Sequence, residues 1–386
     1  MHRRKYVIVL DVGTSGAKGF VFDDQYNLKS KKFFPIKIIS LHKGKGHVEQ
    51  DPREIIKASK QVIRDVFEES QISSEEILGM GITNQRETTI LWDRKTSWPL
   101  YPAIVWEDKR TEEYCLRLKE NEKNVREKTG LKIEPYFSAS KINWLLDNVP
   151  AAKTAVKENY LACGTVDSWV LWNLAENSPF LTDQTNAART LLYNLKERKW
   201  DDDLLALFNV PLSIVPEVKN TISDFGFLKE DVVGLQIPIK AICGDQQASL
   251  FAAGQNVGTT KITYGTGTFI MQIIPEFNIY DEFFTTISCI NELFAVEGKI
   301  EKGGKQVEPL LNNPVGLRKF LEELAVEADS IIKKLPIKPK ELIVDGGVMR
   351  DGIVAEMQER ISGIPVKDQL FFDGTALGVA KMIFEK

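Results

Sequence analysis

The chain opens with Tyr6 to Val12, apolar except for Asp11, a pattern that predicts a strand buried on both faces. Ala17 to Phe22 repeats it after the turn Gly13-Thr14-Ser15-Gly16, so the two read as a hairpin carrying a polar loop. Asp51-Pro52-Arg53-Glu54 is a helix start, with Asp as N-cap, Pro at the first helical position and Glu reaching back. The apolar residues Ile55, Ile56, Val62, Ile63 and Val66 that follow mark one buried face. Strand signals at Ile77 to Thr83 and Thr88 to Trp92 alternate with helix signals at Glu107 to Glu120 and Ser138 to Asp147, which makes the N-terminal part α/β. Near residue 240 the pattern restarts. Thr263-Tyr264-Gly265-Thr266-Gly267-Thr268-Phe269-Ile270 echoes Leu10 to Thr14 and its following strand, as a duplicated nucleotide-clamping domain would. Glu341 to Val348 reads as a strand ending in a third glycine turn, Gly346-Gly347, followed by helix-forming residues to Arg360. The expected division is residues 1–240 and 241–386.

Composition adds limits rather than chemistry. With 386 residues, 43% hydrophobic and 27% charged, the chain can build two substantial cores. The net charge of -4 comes with Lys and Arg spread along the sequence, so no basic stripe for nucleic acid forms and a small ligand is the better expectation. Cys115, Cys163, Cys243 and Cys289 form no CxxC pair, which argues against a disulfide framework and a thiolate zinc site and fits a reducing cytoplasm. The apolar run after Met1-His2-Arg3-Arg4-Lys5 is too short for a signal peptide, and no run approaches membrane-spanning length.

A Gly, Thr and Ser loop after a strand turns several backbone N–H groups in one direction and lets phosphate come close. A single such loop is as often a plain hairpin turn, but three in one chain favour nucleotide binding. Asp11, at the end of a buried strand beside the first loop, suits Mg²⁺ on a polyphosphate, although a capping Asp explains the residue taken alone. Other motifs fail. No GxxxxGK[ST] loop exists, Asp224-Phe225-Gly226 lacks the companion motifs of a protein kinase, and His2, His42 and His47 lie near no nucleophile elbow.

Seven ordered segments carry a resemblance: Leu10 to Gly19, Gly81 to Asp93, Ala103 to Thr111, Thr129 to Lys141, Gly164 to Leu174, Ile242 to Phe251 and Tyr264 to Phe269. Together they resemble the FGGY carbohydrate kinases, and within that family its glycerol-phosphorylating branch. The resemblance implies two actin-like, ribonuclease H-like α/β domains around a cleft, and ATP-dependent, Mg²⁺-assisted phosphorylation of glycerol to glycerol 3-phosphate. It implies that Arg86, Glu87, Tyr136, Asp245 and Gln246 bind the hydroxyls while Trp106 and Phe269 flank the carbons. Mixed donors and acceptors with aromatic walls suit a small triol. Asp245 would be the general base, its pKa raised by partial burial after Ile242-Cys243-Gly244. Thr14, Ser15, Lys18, Gly265, Thr266, Gly347 and Val348 would face the nucleotide, and Asp11 with Asp245 the metal. The expected partners are glycerol and ATP, in a cytoplasmic protein with homo-oligomerisation left open.

The likeness breaks after Val296-Glu297-Gly298. A long family stretch is absent, and Lys299 to Gln306 reads as a flexible connector before an amphipathic helix over Gly316 to Leu335. The chain stops soon after Thr375 to Gly378, without the family's terminal helices. Bulky Val348, Met349 and Arg350, then Asp351, stand where the family prefers small residues and an asparagine, which would crowd the adenine. Lys18 and Ser15 replace the usual Arg and Thr. The second domain is therefore abbreviated, and the alternative to a working kinase is an impaired polyol-binding or regulatory paralogue.

Overall fold

The computed structural model describes residues 4–41, 46–265, 267–290, 292–300, 302–310, 313–349, 352–369 and 373–385. Thr266, Arg350 and Asp351 lie outside them. The chain forms two compact units, residues 1–245 with 379–386, and residues 246–378. No helix among the described residues is long and apolar enough to cross a membrane.

The first unit is built on a mixed sheet in the order Ile239–Gly244, Ile77–Asn84, Tyr6–Val12, Gly16–Asp23, Leu28–Pro35. Its first three strands are parallel, and the last two fold back as antiparallel hairpins. Parallel strands need cover on both faces. Accordingly Val7, Ile8, Val9, Leu10 and Val12 are all fully buried. The helix Pro52–Ser70 lays Ile55, Ala58, Val62, Ile63 and Val66 on one face of the sheet. Asp51 caps it by accepting the Arg53 N–H at 2.9 Å, and the carboxylate also holds the Arg53 guanidinium at 2.6 Å.

The second unit repeats the plan. Its six strands run Phe284–Ile287, Phe294–Ile300, Thr268–Ile274, Thr260–Tyr264, Leu342–Asp345, Val366–Asp368. Setting aside the outermost Phe284–Ile287, the order and the antiparallel-to-parallel switch match the first sheet. Each unit enters its parallel pair through a helix of 19 residues, Pro52–Ser70 in one and Pro314–Ile332 in the other. The internal echo read from the glycine loops is thus a repeated topology.

Three expectations change. Glu107 to Glu120 holds only the short helix Glu112–Arg117 and a 3₁₀ turn at Lys119–Asn121. The reason is Asp108, whose buried carboxylate accepts the Val48 N–H at 2.6 Å and pairs with Arg110 at 2.8 Å, pinning the preceding chain as a turn. Lys299 to Gln306 is no free linker among its described residues. Lys299 and Ile300 finish a strand, and Gly304–Val307 is a short helix whose Gly304 N–H donates to the Gly265 carbonyl at 2.7 Å. Position 240 falls inside the strand Ile239–Gly244, which belongs whole to the first sheet.

The chain's last described helix, Gly374–Phe384, ends in the first unit, where Tyr26 meets Phe384 edge-on with ring centroids 5.8 Å apart. Gly81 makes room for it, since a β-carbon there would stand 2.2 Å from Val379 Cγ1. Gly81→Ala therefore overpacks this contact and should lower the unfolding free energy by about 1–3 kcal/mol. Chemical denaturation checks it, and an unchanged midpoint would show that the helix end does not dock there.

Candidate active site

The parallel strands Tyr6–Val12, Ile77–Asn84 and Ile239–Gly244 end level with one another, Val12 and Gly244 both pairing with Asn84. Gly13, Gln85 and Asp245 are therefore the first residues beyond three neighbouring strands, at the sheet edge where open α/β sheets bind ligands.

Arg86, almost fully buried, places Nε 3.1 Å from Asp245 Oδ1, whose side chain keeps 30% exposure. The guanidinium and the carboxylate form an ion pair at the end of the strand Ile239–Gly244. Glu87 adopts a left-handed backbone, φ 62°, which costs a non-glycine residue free energy and re-aims its side chain. Its carboxylate meets Arg189 Nε at 2.5 Å with both groups buried, while Ser138 Oγ donates to the Glu87 carbonyl at 3.0 Å. Trp106 and Tyr136 stand edge-to-face, centroids 5.6 Å apart, and the Arg189 guanidinium lies 5.6 Å from the Tyr136 ring centroid.

These walls are tied to the first glycine loop. Trp106 Nε1 donates to Thr14 Oγ1 at 2.9 Å, and Thr14 donates to Gln85 Oε1 at 3.1 Å. Gln50 Nε2 in turn donates to the Thr14 carbonyl at 2.7 Å, and Gln85 Nε2 to Gln50 Oε1 at 2.9 Å. Because each hydroxyl or amide both gives and accepts, the ring of bonds fixes every group's orientation. Ser15 is exposed at the loop tip. Asp11 is buried and faces Lys18 directly across the hairpin, 3.6 Å away. Among the described residues no cluster of three His, Cys, Asp or Glu side chains forms a metal cage. Asp11 and Asp245, at the ends of strands flanking Ile77–Asn84, still fit Mg²⁺, which takes one or two carboxylate oxygens and otherwise water and phosphate.

In the second unit Thr263 Oγ1 donates to Gln246 Oε1 at 3.4 Å, and Phe269 is half-buried on the strand Thr268–Ile274. The Gly265 loop closes as Gly265 N–H to the Gly267 carbonyl at 3.1 Å, like Gly13 N–H to Gly16 in the first unit at 3.0 Å. Gly346, at φ 110°, passes so close to the Tyr264 backbone that a β-carbon would lie 2.4 Å from its carbonyl oxygen. Gly347 is exposed, whereas Val348 packs partly against the unit's core rather than standing wholly free to crowd a ligand. Beneath both loops Lys261 Nζ meets Asp345 Oδ1 at 2.7 Å, and Ser249 Oγ donates to Asp345 Oδ2 at 2.8 Å. Asp224-Phe225-Gly226 is an ordinary turn closed by Gly226 N–H on Asp224 Oδ1, 2.9 Å.

Sequence reasoning missed Arg189, Gln50, Gln85 and Lys141. Lys141 is fully buried, and its ammonium donates to the Pro135, Tyr136 and Phe137 carbonyls at 2.5, 2.8 and 3.3 Å, clasping the Tyr136 turn. Burial pulls its pKa down to about 8. None of these residues sits in a Gly-rich or repeated motif. Gln85 and Lys141 do lie inside segments that carry the family resemblance, whereas Gln50 and Arg189 lie outside all of them.

The FGGY family of carbohydrate kinases, N-terminal domain, matches residues 6–252. The chain belongs to the FGGY family of carbohydrate kinases. It is 34% identical to the glycerol kinase of Aquifex aeolicus over 439 residues, covering 97% of this chain and 88% of that one. That alignment is longer than the 386-residue chain, so the relative carries residues with no counterpart here. It is 41% identical to the glycerol kinase of Burkholderia multivorans over 340 residues, 85% of this chain but 66% of that protein. The crystal structure of Plasmodium falciparum glycerol kinase with ADP superposes with a TM-score of 0.89 at 28% identity, covering 98% of this chain and 89% of that one. A xylulose kinase from Lactobacillus acidophilus, at 18% identity and TM-score 0.85, shares the fold. The FGGY chain thus has the two actin-like halves of these kinases, the second shortened.

Removing one member of a buried ion pair leaves the other charge stranded. Arg189→Met should therefore lower the unfolding free energy by about 3–5 kcal/mol. Urea titration measures this, and a loss under about 1 kcal/mol would mean that Glu87 finds another partner.

Proposed function

We propose that this FGGY kinase transfers the γ-phosphoryl group of ATP to a terminal hydroxyl of glycerol, giving glycerol 3-phosphate and ADP. The supporting observation is the packing of Arg86, Glu87, Trp106 and Tyr136 with Asp245 at one strand edge, beside the Thr14 loop. Arg86 donates to hydroxyl oxygens and Glu87 accepts from hydroxyl hydrogens, with Gln246 doing either. Trp106, Tyr136 and Phe269 cover the C–H faces. Asp245 takes the proton as the hydroxyl oxygen bonds to phosphorus and the bond to the ADP oxygen breaks. Backbone N–H groups and hydroxyls at Thr14, Ser15, Gly265 and Thr266, with Lys18, orient the phosphates, and Gly347 and Val348 bound the adenosine. Mg²⁺, held by Asp11 and Asp245, would supply charge neutralisation on the phosphate oxygens. The first domain would carry the polyol site and the first phosphate loop, and the second domain the second phosphate loop and the adenosine loop.

A second reading, a polyol-binding paralogue with impaired turnover, is favoured by the stretch that the Aquifex relative has and this chain lacks. A coupled assay of glycerol-dependent ADP release from Mg-ATP, beside calorimetric titration of glycerol, separates the two. Turnover that falls by about 10²- to 10⁴-fold in Asp245→Asn is the expected result. Glycerol binding without turnover in the unaltered protein would favour the paralogue, and neither would reject glycerol as substrate.

A further inference from the structure

Asp183 is a carboxylate the proposed chemistry does not use, and it is completely buried in the first unit. It opens the short helix Gln184–Ala187. Its oxygens accept the Thr185 N–H at 2.9 Å, the Asn186 N–H at 2.9 Å, the Asn186 side-chain amide at 2.8 Å, the Thr185 hydroxyl at 2.7 Å and the Thr221 hydroxyl at 2.8 Å. Burial pushes its carboxyl above the usual range, while these donors counter that push by favouring the ion.

Two arms leave this hub. Thr185 gives its hydroxyl proton to Asp183, so an oxygen lone pair is free to accept the Gly244 N–H at 2.8 Å, one residue before Asp245. Asn186 gives its NH₂ both to Asp183 at 2.8 Å and to Asn84 Oδ1 at 3.2 Å, while its carbonyl accepts the Asn84 amide at 2.9 Å, so the two asparagines pair reciprocally. The same Asn84 amide donates to the Gln85 carbonyl, one residue before Arg86. A carboxylate only accepts, and that one-way character sets the direction of the Thr185 arm and holds the Asn186 amide in one orientation. An amide at 183 would present a donor to these donors.

We propose that Asp183 is a positioning residue for phosphoryl transfer. Acting through Thr185 and Asn186, it holds the backbone on either side of the Arg86–Asp245 pair and so aims the proton acceptor and the hydroxyl donor together. The proposal rests on the glycerol-kinase reading above and adds to it a residue that touches neither substrate.

The test uses the full chain with Mg-ATP and glycerol, reading kcat, KM and the melting temperature. In Thr185→Val the Gly244 N–H loses its acceptor. Turnover should fall about 10- to 100-fold, the range for a small displacement of a reacting group, with KM for ATP held within about twofold. Thr185→Ser keeps the hydroxyl and should restore at least half of kcat. Asp183→Asn disturbs both arms and should lower kcat at least as far. Thr182→Val is the structural comparison, since it removes an equally buried threonine bond, Oγ1 to Asp167 Oδ2 at 2.6 Å. It should lower the melting temperature and leave kcat within about twofold. The role is overturned if Thr185→Val matches Thr182→Val in kcat at similar loss of melting temperature, or if Thr185→Ser fails to rescue. A wild-type chain that neither binds nor turns over glycerol would instead reject the reading beneath it, and this role with it.

Discussion

The level ending of three parallel strands is the constraint from which the candidate site follows. Parallel pairing fixes Val12, Asn84 and Gly244 in one row, so the next residues along the chain, Gly13, Gln85 and Asp245, emerge side by side. A slip of one residue in any strand would turn its side chains to the opposite face. Such a slip is blocked because both faces of the central strand are dry, with Ile8, Leu10 and Val12 packed into the core cluster and Val7 and Val9 also fully buried. Hydrophobic register thus does the coarse positioning, over residues that meet no ligand.

Fine positioning falls to charges and amides that are costly to bury. Arg86, Glu87, Arg189 and Asp183 all lie at or below 3% exposure. An uncompensated charge there would cost several kcal/mol, so each is tolerable only with its partners in place. That requirement makes the region cooperative: Glu87 needs Arg189, which follows the same short helix that Asp183 caps. A polar core of this kind adds little net stability compared with an apolar one, but it has few alternative arrangements. Orientation is what phosphoryl transfer most requires of the protein.

Much of this was legible in the residues. The hairpin around Gly13 to Gly16, the helix after Asp51 and the second hairpin around Gly265 declare themselves by apolar runs broken at glycine, since buried strands and turns have strong local signatures. Arg86, Glu87, Trp106, Tyr136 and Asp245 were legible through ordered family segments. Arg189 and the link from Asp183 through Thr185 to Gly244 were not, because the pairings that matter lie far off in sequence: Arg189 is 102 residues from Glu87, and Thr185 is 59 from Gly244. Local pattern carries no information about such pairings. Asp108 misled the helix reading for the same reason, its partner Val48 being 60 residues away.

The shortened second unit shows what an actin-like half can lose. Its sheet keeps the strand order of the first unit, and its core is continuous from Ile262 and Tyr264 through Leu321, Leu324 and Ala328 to Val344 and Met357. The crossover helix Pro314–Ile332 is as long as its counterpart, so the parallel pair it introduces is still covered. The segment after the strand Phe294–Ile300 folds back on the glycine hairpin: Thr268 Oγ1 donates to the Lys302 carbonyl at 3.0 Å, and Gly304 N–H to that of Gly265 at 2.7 Å. These bonds add to the loop's own closure by Gly265 N–H on the Gly267 carbonyl. The second unit therefore keeps a complete sheet-and-helix core, with the Gly265 hairpin tied down.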